Sequence, residues 1–245
     1  MPAAIKKKRV VPRLPRQLLA IQNGDKPCIE RWDERRSRDL ANFPNPSRIL
    51  LVGPPNSGKT SLIKQLIMHQ SPRFDEVFLV HLDAGHTKDY ADLDVTAEMP
   101  DLPSLEFFNA LPTHNPDTGK RIRRAIIVDD LELTHATKQR AKDLAILFRF
   151  VSSHAPMTVY YANQSYFDIP PLVKKMASTF ILWRPRSNTE LKLIEDRCGC
   201  DRGLLRHLFE SVCTTGWDNI CIDHTDGSPA PLRKNIFEKI EIVDD

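Results

Sequence analysis

The octet Gly53-Pro54-Pro55-Asn56-Ser57-Gly58-Lys59-Thr60 fits G-x-x-x-x-G-K-[ST] at every defined position, and each defined residue type answers a need of triphosphate chemistry. Phosphate oxygens are held by backbone N–H groups turned inward at a helix N-terminus, where partial positive charge accumulates. Pro54 and Pro55 have no N–H to give, so the donors come from Asn56 to Thr60, and the two rings stiffen the approach. Gly53 through Ser61 form the expected nucleotide-contacting stretch. Lys59 reaches the β and γ phosphates as a point charge, and the Thr60 hydroxyl binds Mg²⁺. Such a site needs an acid for the metal, and Asp129 closes the apolar run Ala125-Ile126-Ile127-Val128, with Asp130 beside it. Asp129 is the expected Mg²⁺ partner, acting through water, while Asp130 orients or polarises the attacking water. Gln164 ends another apolar run and can both donate and accept, as a sensor of the γ-phosphate must; Asn163 is its reserve.

These residues need a frame that brings distant segments together. Five apolar runs read as strands: Ile49 to Val52, Glu76 to Leu82, Ala125 to Val128, Met157 to Ala162 and Thr179 to Trp183. Leu62, Ile63, Leu66 and Ile67 recur at helical spacing directly after the glycine-lysine turn, and Ala141, Leu144, Ala145, Phe148 and Val151 trace one face of a second helix. Strands alternating with helices imply a parallel sheet covered on both faces, with carboxylates at strand C-termini facing the ligand crevice. Ser187 to Arg197 and Arg202 to Val212 read as helices, and Asn219 to Asp223 with Leu232 to Phe237 as an antiparallel hairpin around Asp226-Gly227-Ser228-Pro229. Pro44-Asn45-Pro46 cannot continue a helix, so residues 1–47 are an arm and irregular segment and 48–245 the folded domain with its helical and hairpin extension.

Composition excludes several classes. The chain has 245 residues, 41% hydrophobic and 27% charged, with nine glycines among them, which is globular rather than low-complexity. No apolar run approaches the roughly 18 residues of a membrane helix, and the N-terminus lacks a secretory apolar core, so the chain is expected to be unsecreted. Residues 1–16 carry six basic side chains, from Lys6 to Arg16, and no acid; with a total of +3, the remainder is therefore net −3. That arm suits nuclear targeting or phosphate binding, and a large basic face for static duplex binding is not evident. Cys28, Cys198, Cys200, Cys213 and Cys221 have no framework spacing, as reduced thiols do. Cys198, Cys200, His207 and Cys213 do not have zinc spacing, and no zinc is expected. Lys120, Arg121, Arg123 and Arg124 follow a polar turn and read as a solvated loop with the capacity to meet a DNA backbone, while His81, Asp83 and His86 read as loop polarity.

The segments GPPNSGKTSLIKQL (53–66), FDEVFLVH (74–81), AIIVDDLE (125–132), MTVYYANQSYFDIP (157–170), STFILWR (178–184) and LRKNIFEKI (232–240) resemble those of the viral DNA-packaging ATPases of the FtsK/HerA superfamily, in the poxvirus-type clade of large DNA viruses and virophages. The resemblance implies an α/β P-loop NTPase core of the additional-strand kind with strand order 5-1-4-3-2. It also implies ATP-driven threading of double-stranded DNA by a homo-oligomeric ring of five or six subunits, docked on capsid or portal-vertex proteins, in a virion or a viral factory of cytoplasm or nucleus. Where members often carry an Arg-His pair, this chain has Ser153-His154. The arginine finger is therefore sought in Arg149, Arg184 or Arg186, with Arg184 preferred because it ends the fifth strand. Two competing classes share the phosphate loop: a nucleoside or nucleotide kinase, and a capsid-assembly factor that binds ATP without turnover. No Asn-Lys-x-Asp base-reading motif of a GTPase occurs.

Overall fold

Ile49, Leu50, Leu51 and Val52 are all buried, as an uninterrupted apolar run requires when both faces of its strand are covered. They form β1 (Arg48–Val52) of a computed structural model that describes residues 39, 41, 43–81, 86–129, 131, 138–151, 157–225, 228 and 231–242. The basic arm, Cys28, Asp83, Asp130, Ser153, His154 and Asp226-Gly227 lie outside the described residues. The other strands are β2 (Glu76–Val80), β3 (Ala97–Met99), β4 (Arg124–Asp129), β5 (Met157–Asn163), β6 (Thr179–Trp183), β7 (Asn219–Asp223), β8 (Leu232–Lys234) and β9 (Glu238–Lys239). The helices are α1 (Lys59–Met68), α2 (Leu105–Ala110), α3 (Lys138–Ile146), α4 (Pro171–Met176), α5 (Asn188–Cys198) and α6 (Leu204–Ser211).

Among the described residues one sheet holds all nine strands, in the order β3-β2-β4-β5-β1-β6-β7-β8-β9. Read from β6 through β1, β5 and β4 to β2, the five strands expected from sequence lie in the order 5-1-4-3-2, paired in parallel throughout. The short edge strand β3 was not expected. Its three residues, Ala97, Glu98 and Met99, alternate apolar and polar but are too few to stand out as a strand. Beyond β6 the sheet turns antiparallel. The hairpin strand expected to reach Phe237 stops at Lys234, because Asn235 (φ 48°) and Ile236 (φ 71°) take left-handed backbone and turn the chain into β9.

Alternation along the strands sorts side chains onto two faces. Leu50, Val52, Ile126, Val128, Val159 and Tyr161 meet the helical layer, which supplies Phe108 of α2, Leu144 of α3, Val173 of α4, Leu191 and Ile194 of α5, and Leu205 and Leu208 of α6. Ile49, Leu51, Ile127, Tyr160 and Ala162 face the other way onto Ile63, Leu66 and Ile67 of α1, with Phe43 and Tyr90 beside them. The sequence-traced helix ending near Val151 is α3 followed by a π turn at Leu147–Val151, and Phe148 within that turn is fully buried. Ser187 caps α5 by accepting from the N–H groups of Thr189 and Glu190, and Gly199 closes it in left-handed conformation. Among the described residues no helix is long and apolar enough to cross a membrane.

The loop entering β7 is stapled by one carboxylate. Asp218 accepts from the backbone N–H groups of Thr214 (2.8 Å) and Thr215 (2.9 Å) and from Asn235 Nδ2 (2.8 Å), with Lys234 Nζ 3.7 Å away. Burial alone would push this carboxyl up, but the bonds from Asn235, Thr215 and Thr214 and the Lys234 charge hold it well below the usual carboxylate range. A folded-state value below the unfolded one gives stability that is present at neutral pH and lost as acid protonates the group. Asp218→Ala is expected to lower urea stability at pH 7 by about 1–3 kcal/mol and to flatten the fall in stability of the wild type below about pH 4. An unchanged midpoint and acid limb would contradict the staple.

Candidate active site

Register brings the sequence-distant residues to one line. Val52 pairs with Asn163 across β1 and β5, Asp129 pairs with Ala162 across β4 and β5, and Gly53 N–H extends the ladder to the Asn163 carbonyl at 3.2 Å. The C-terminal ends of three adjacent parallel strands therefore carry Gly53, Gln164 and Asp129 side by side, in the crevice where such sheets bind ligands.

From β1 the chain turns through Pro54 and Pro55, takes left-handed backbone at Asn56 (φ 61°) and Gly58 (φ 93°), and starts α1 at Lys59. The first N–H groups of α1, from Lys59 to Ser61, have no carbonyl within the helix to bond, which is the feature that receives phosphate. Gly53 is needed for a close approach: a Cβ there would lie 2.8 Å from both Trp183 Cβ and Ser57 Oγ. Lys59 is buried, and its ammonium curls over the loop to donate to the carbonyls of Gly53 (2.8 Å) and Pro54 (3.0 Å). That places the positive charge at the loop's centre.

Thr60 Oγ1 donates to Asp129 Oδ2 at 2.9 Å. Tyr90, at the end of the 3₁₀ turn His86–Tyr90, donates its hydroxyl to the same oxygen at 2.6 Å. Asp129 itself is only 4% exposed, so these donors replace hydration of its charge. Hydroxyl and carboxylate oxygens are the ligands that a hard cation such as Mg²⁺ prefers, and the donor set fits that ion. Tyr90 had no sequence signal: its segment contains no apolar period and no motif.

Gln164 is exposed and borders a cleft of about 300 Å³ together with Gly53, Pro54, Trp183, Arg186 and Glu190. Asn163 is committed elsewhere, donating to Tyr161 Oη (2.9 Å) and accepting from Ser165 N–H (3.0 Å), so Gln164 is the amide on the cleft. Glu190, buried at the start of α5, accepts from Tyr166 N–H and from Ser165 Oγ (3.2 Å), clamping the loop that carries Gln164. Glu190 was not foreseen, being one charged residue in an amphipathic helix.

The candidate arginines separate. Arg184 is exposed, with its guanidinium 3.8 Å from Glu210 on α6, whereas Arg186 lines the cleft and Arg149 lies on the π turn. Of the basic loop, Arg124 is buried in β4 against Glu76, while Lys120 and Arg121 are exposed beyond the turn in which Asn115 Oδ1 accepts from the N–H groups of Asp117 and Thr118. Burial pushes the thiols of Cys200 and Cys213 up to about 11 and that of Cys221 up to about 12, so all three are protonated at neutral pH. His81 is buried at the end of β2.

No family profile and no curated protein matches the chain. Solved structures do. The genome packaging NTPase B204 from Sulfolobus turreted icosahedral virus 2, in complex with ATP-gammaS, is similar over 80% of this chain and 98% of its own, at 17% identity and TM-score 0.50. Its complex with sulfate is similar over 83% of this chain and 100% of its own, at 16% identity and TM-score 0.50. B204 described as the DNA-packaging ATPase from Sulfolobus Turreted Icosahedral Virus is similar over 80% and 100%, at 16% and 0.50. The shared fold is that of a P-loop NTPase.

Tyr90→Phe removes a hydrogen bond to a buried charge and is expected to lower stability by about 1.5–3 kcal/mol in urea titration. In an Asp129→Ala background the same substitution should have much less effect, and a full effect there would contradict the pairing.

Proposed function

We propose that the chain is an ATPase of the FtsK/HerA type that translocates viral double-stranded DNA into capsids as a homo-oligomeric ring. The observation that carries the ATPase reading is the 2.9 Å bond between Thr60 and Asp129, formed beside a lysine already folded over the phosphate loop. A kinase or a passive nucleotide-binding factor would share that pocket, so the reading extends beyond it through Asp130, Gln164 and an arginine supplied from a neighbouring subunit.

In this reading the N–H groups from Asn56 to Thr60 hold the phosphates, and Lys59 places its charge at the β and γ groups. Thr60, and Asp129 through water, would hold Mg²⁺, which when bound would supply positive charge against that of the phosphates. Asp130 orients the water that attacks the γ-phosphorus and takes up its proton as the bond to the β-oxygen breaks, leaving ADP and phosphate. Gln164 on the cleft registers the γ group, and the Glu190 clamp gives its loop a rigid path to α5. The exposed Arg184 serves as the finger in trans, a role that head-to-tail packing in a ring permits. DNA is gripped through its phosphates without sequence preference, so affinity falls steeply with salt. The B204 structures support the packaging assignment by fold.

Purified chain is expected to hydrolyse ATP, and duplex DNA of any sequence to raise the rate. Lys59→Ala should remove binding and turnover together, whereas Asp130→Asn should keep ATP binding and lose at least about 100-fold in turnover. An ATPase indifferent to duplex DNA contradicts the motor. Transfer of the γ-phosphate to a nucleoside or nucleotide supports the kinase instead.

A further inference from the structure

Trp217 is 66% exposed, an unusual position for the largest apolar side chain. Its ring stands against the phosphate loop: a Cβ built on Gly58 would lie 3.5 Å from Trp217 Cε3 and 3.9 Å from Cζ3. Gly58 caps the N-terminus of α1, next to Lys59 and Thr60. The indole therefore borders the N–H groups that receive phosphate while leaving most of its surface to solvent.

The backbone beneath it is pinned from three directions. Trp183, packed on Gly53 at the other end of the loop, donates its indole N–H to the Trp217 carbonyl at 2.9 Å. Trp217 N–H donates to Thr215 Oγ1 at 3.3 Å, and the adjacent Asp218 is stapled to Thr214, Thr215 and Asn235. A large ring held at a fixed place costs little further ordering when something stacks on it, which is the condition for an effective binding surface. Pro55 and Asn56 are exposed and Trp217 flanks the loop at Gly58, so a nucleotide whose phosphates lie on the loop and whose base leaves past Gly58 would meet the indole.

We propose that Trp217 is the shelf on which the base of the bound nucleotide stacks, and that its area makes the site favour purine over pyrimidine triphosphates. The inference rests on the nucleotide site proposed above and adds the recognition of the base. Stacking is stronger for the larger ring system and does not depend on edge hydrogen bonds, so ATP and GTP should both bind better than CTP.

Calorimetry on the full chain with Mg²⁺ tests it, using hydrolysis-resistant analogues of ATP and CTP and inorganic tripolyphosphate as the ligand without a base. Trp217→Ala is expected to weaken the ATP analogue about tenfold, Trp217→Phe to weaken it only about twofold, and both to leave tripolyphosphate affinity unchanged. The wild-type preference for the ATP over the CTP analogue should shrink in Trp217→Ala. Unaltered ATP affinity in Trp217→Ala overturns the shelf, as does an equal loss for tripolyphosphate, which would mark a purely structural role. Because the phenylalanine variant keeps an aromatic ring, its recovery separates stacking from a folding defect. A wild-type chain that binds neither ATP nor tripolyphosphate overturns the nucleotide reading itself, whereas one that binds both equally well overturns the shelf alone.

Discussion

A hydroxyl on the first turn of α1 and a carboxylate at the end of β4, 69 positions apart in the chain, meet at 2.9 Å. That meeting ties the phosphate loop to the strand that carries the acid. A charge as buried as Asp129 is tolerated only where donors surround it, and Thr60 and Tyr90 provide two. Sheet register delivers the carboxylate: Asp129 follows the alternation of Ala125 and Ile127, whose side chains face α1 and Tyr90, while Ile126 and Val128 face the other helices. A slip of one residue in β4 would send Asp129 to the opposite layer, away from Thr60. The apolar alternation that fills two cores therefore also aims the acid.

From the same line of strand ends, two routes of packing and hydrogen bonds lead into the C-terminal extension. Through Ser165 and Tyr166 the Gln164 loop is tied to Glu190 of α5, and five residues on, Glu195 accepts from the N–H groups of Gly203 (3.1 Å) and Leu205 (3.0 Å) at the start of α6. Two buried carboxylates of one helix thus join the cleft to the next helix, which presents Glu210 to Arg184. The other route runs from Gly53 through Trp183 to the Trp217 carbonyl and on to the Asp218 staple. Functional groups sit on loops, but each loop is fixed by a buried group of the scaffold.

The sequence made the frame legible because its strands are buried on both faces and so read as unbroken apolar runs, and because Gly-Lys-Thr after such a run has few other uses. The convergence of Lys59, Thr60 and Asp129 was accordingly legible, and Gln164 borders the same group of strand ends. Tyr90 was not, since a tyrosine in a 3₁₀ turn reaches its acid only through tertiary packing. Nor were Glu190 and Trp217, whose places beside the Gln164 loop and against Gly58 arise from tertiary packing. Arg124 looked like part of a basic loop because its burial against Glu76 is set by pairing of β2 with β4 and not by its neighbours in sequence. Strand β3, three residues long, leaves no pattern to find.

In the proposed function Thr60 and Asp129 act together on a magnesium-bound triphosphate. The affinity of a hydrolysis-resistant ATP analogue, measured by calorimetry with and without Mg²⁺ in the wild type, Thr60→Val and Asp129→Asn, tests it most directly. Mg²⁺ is expected to tighten binding in the wild type, and either substitution to remove most of that gain while binding of the free nucleotide persists. An undiminished gain from Mg²⁺ in both variants would contradict it.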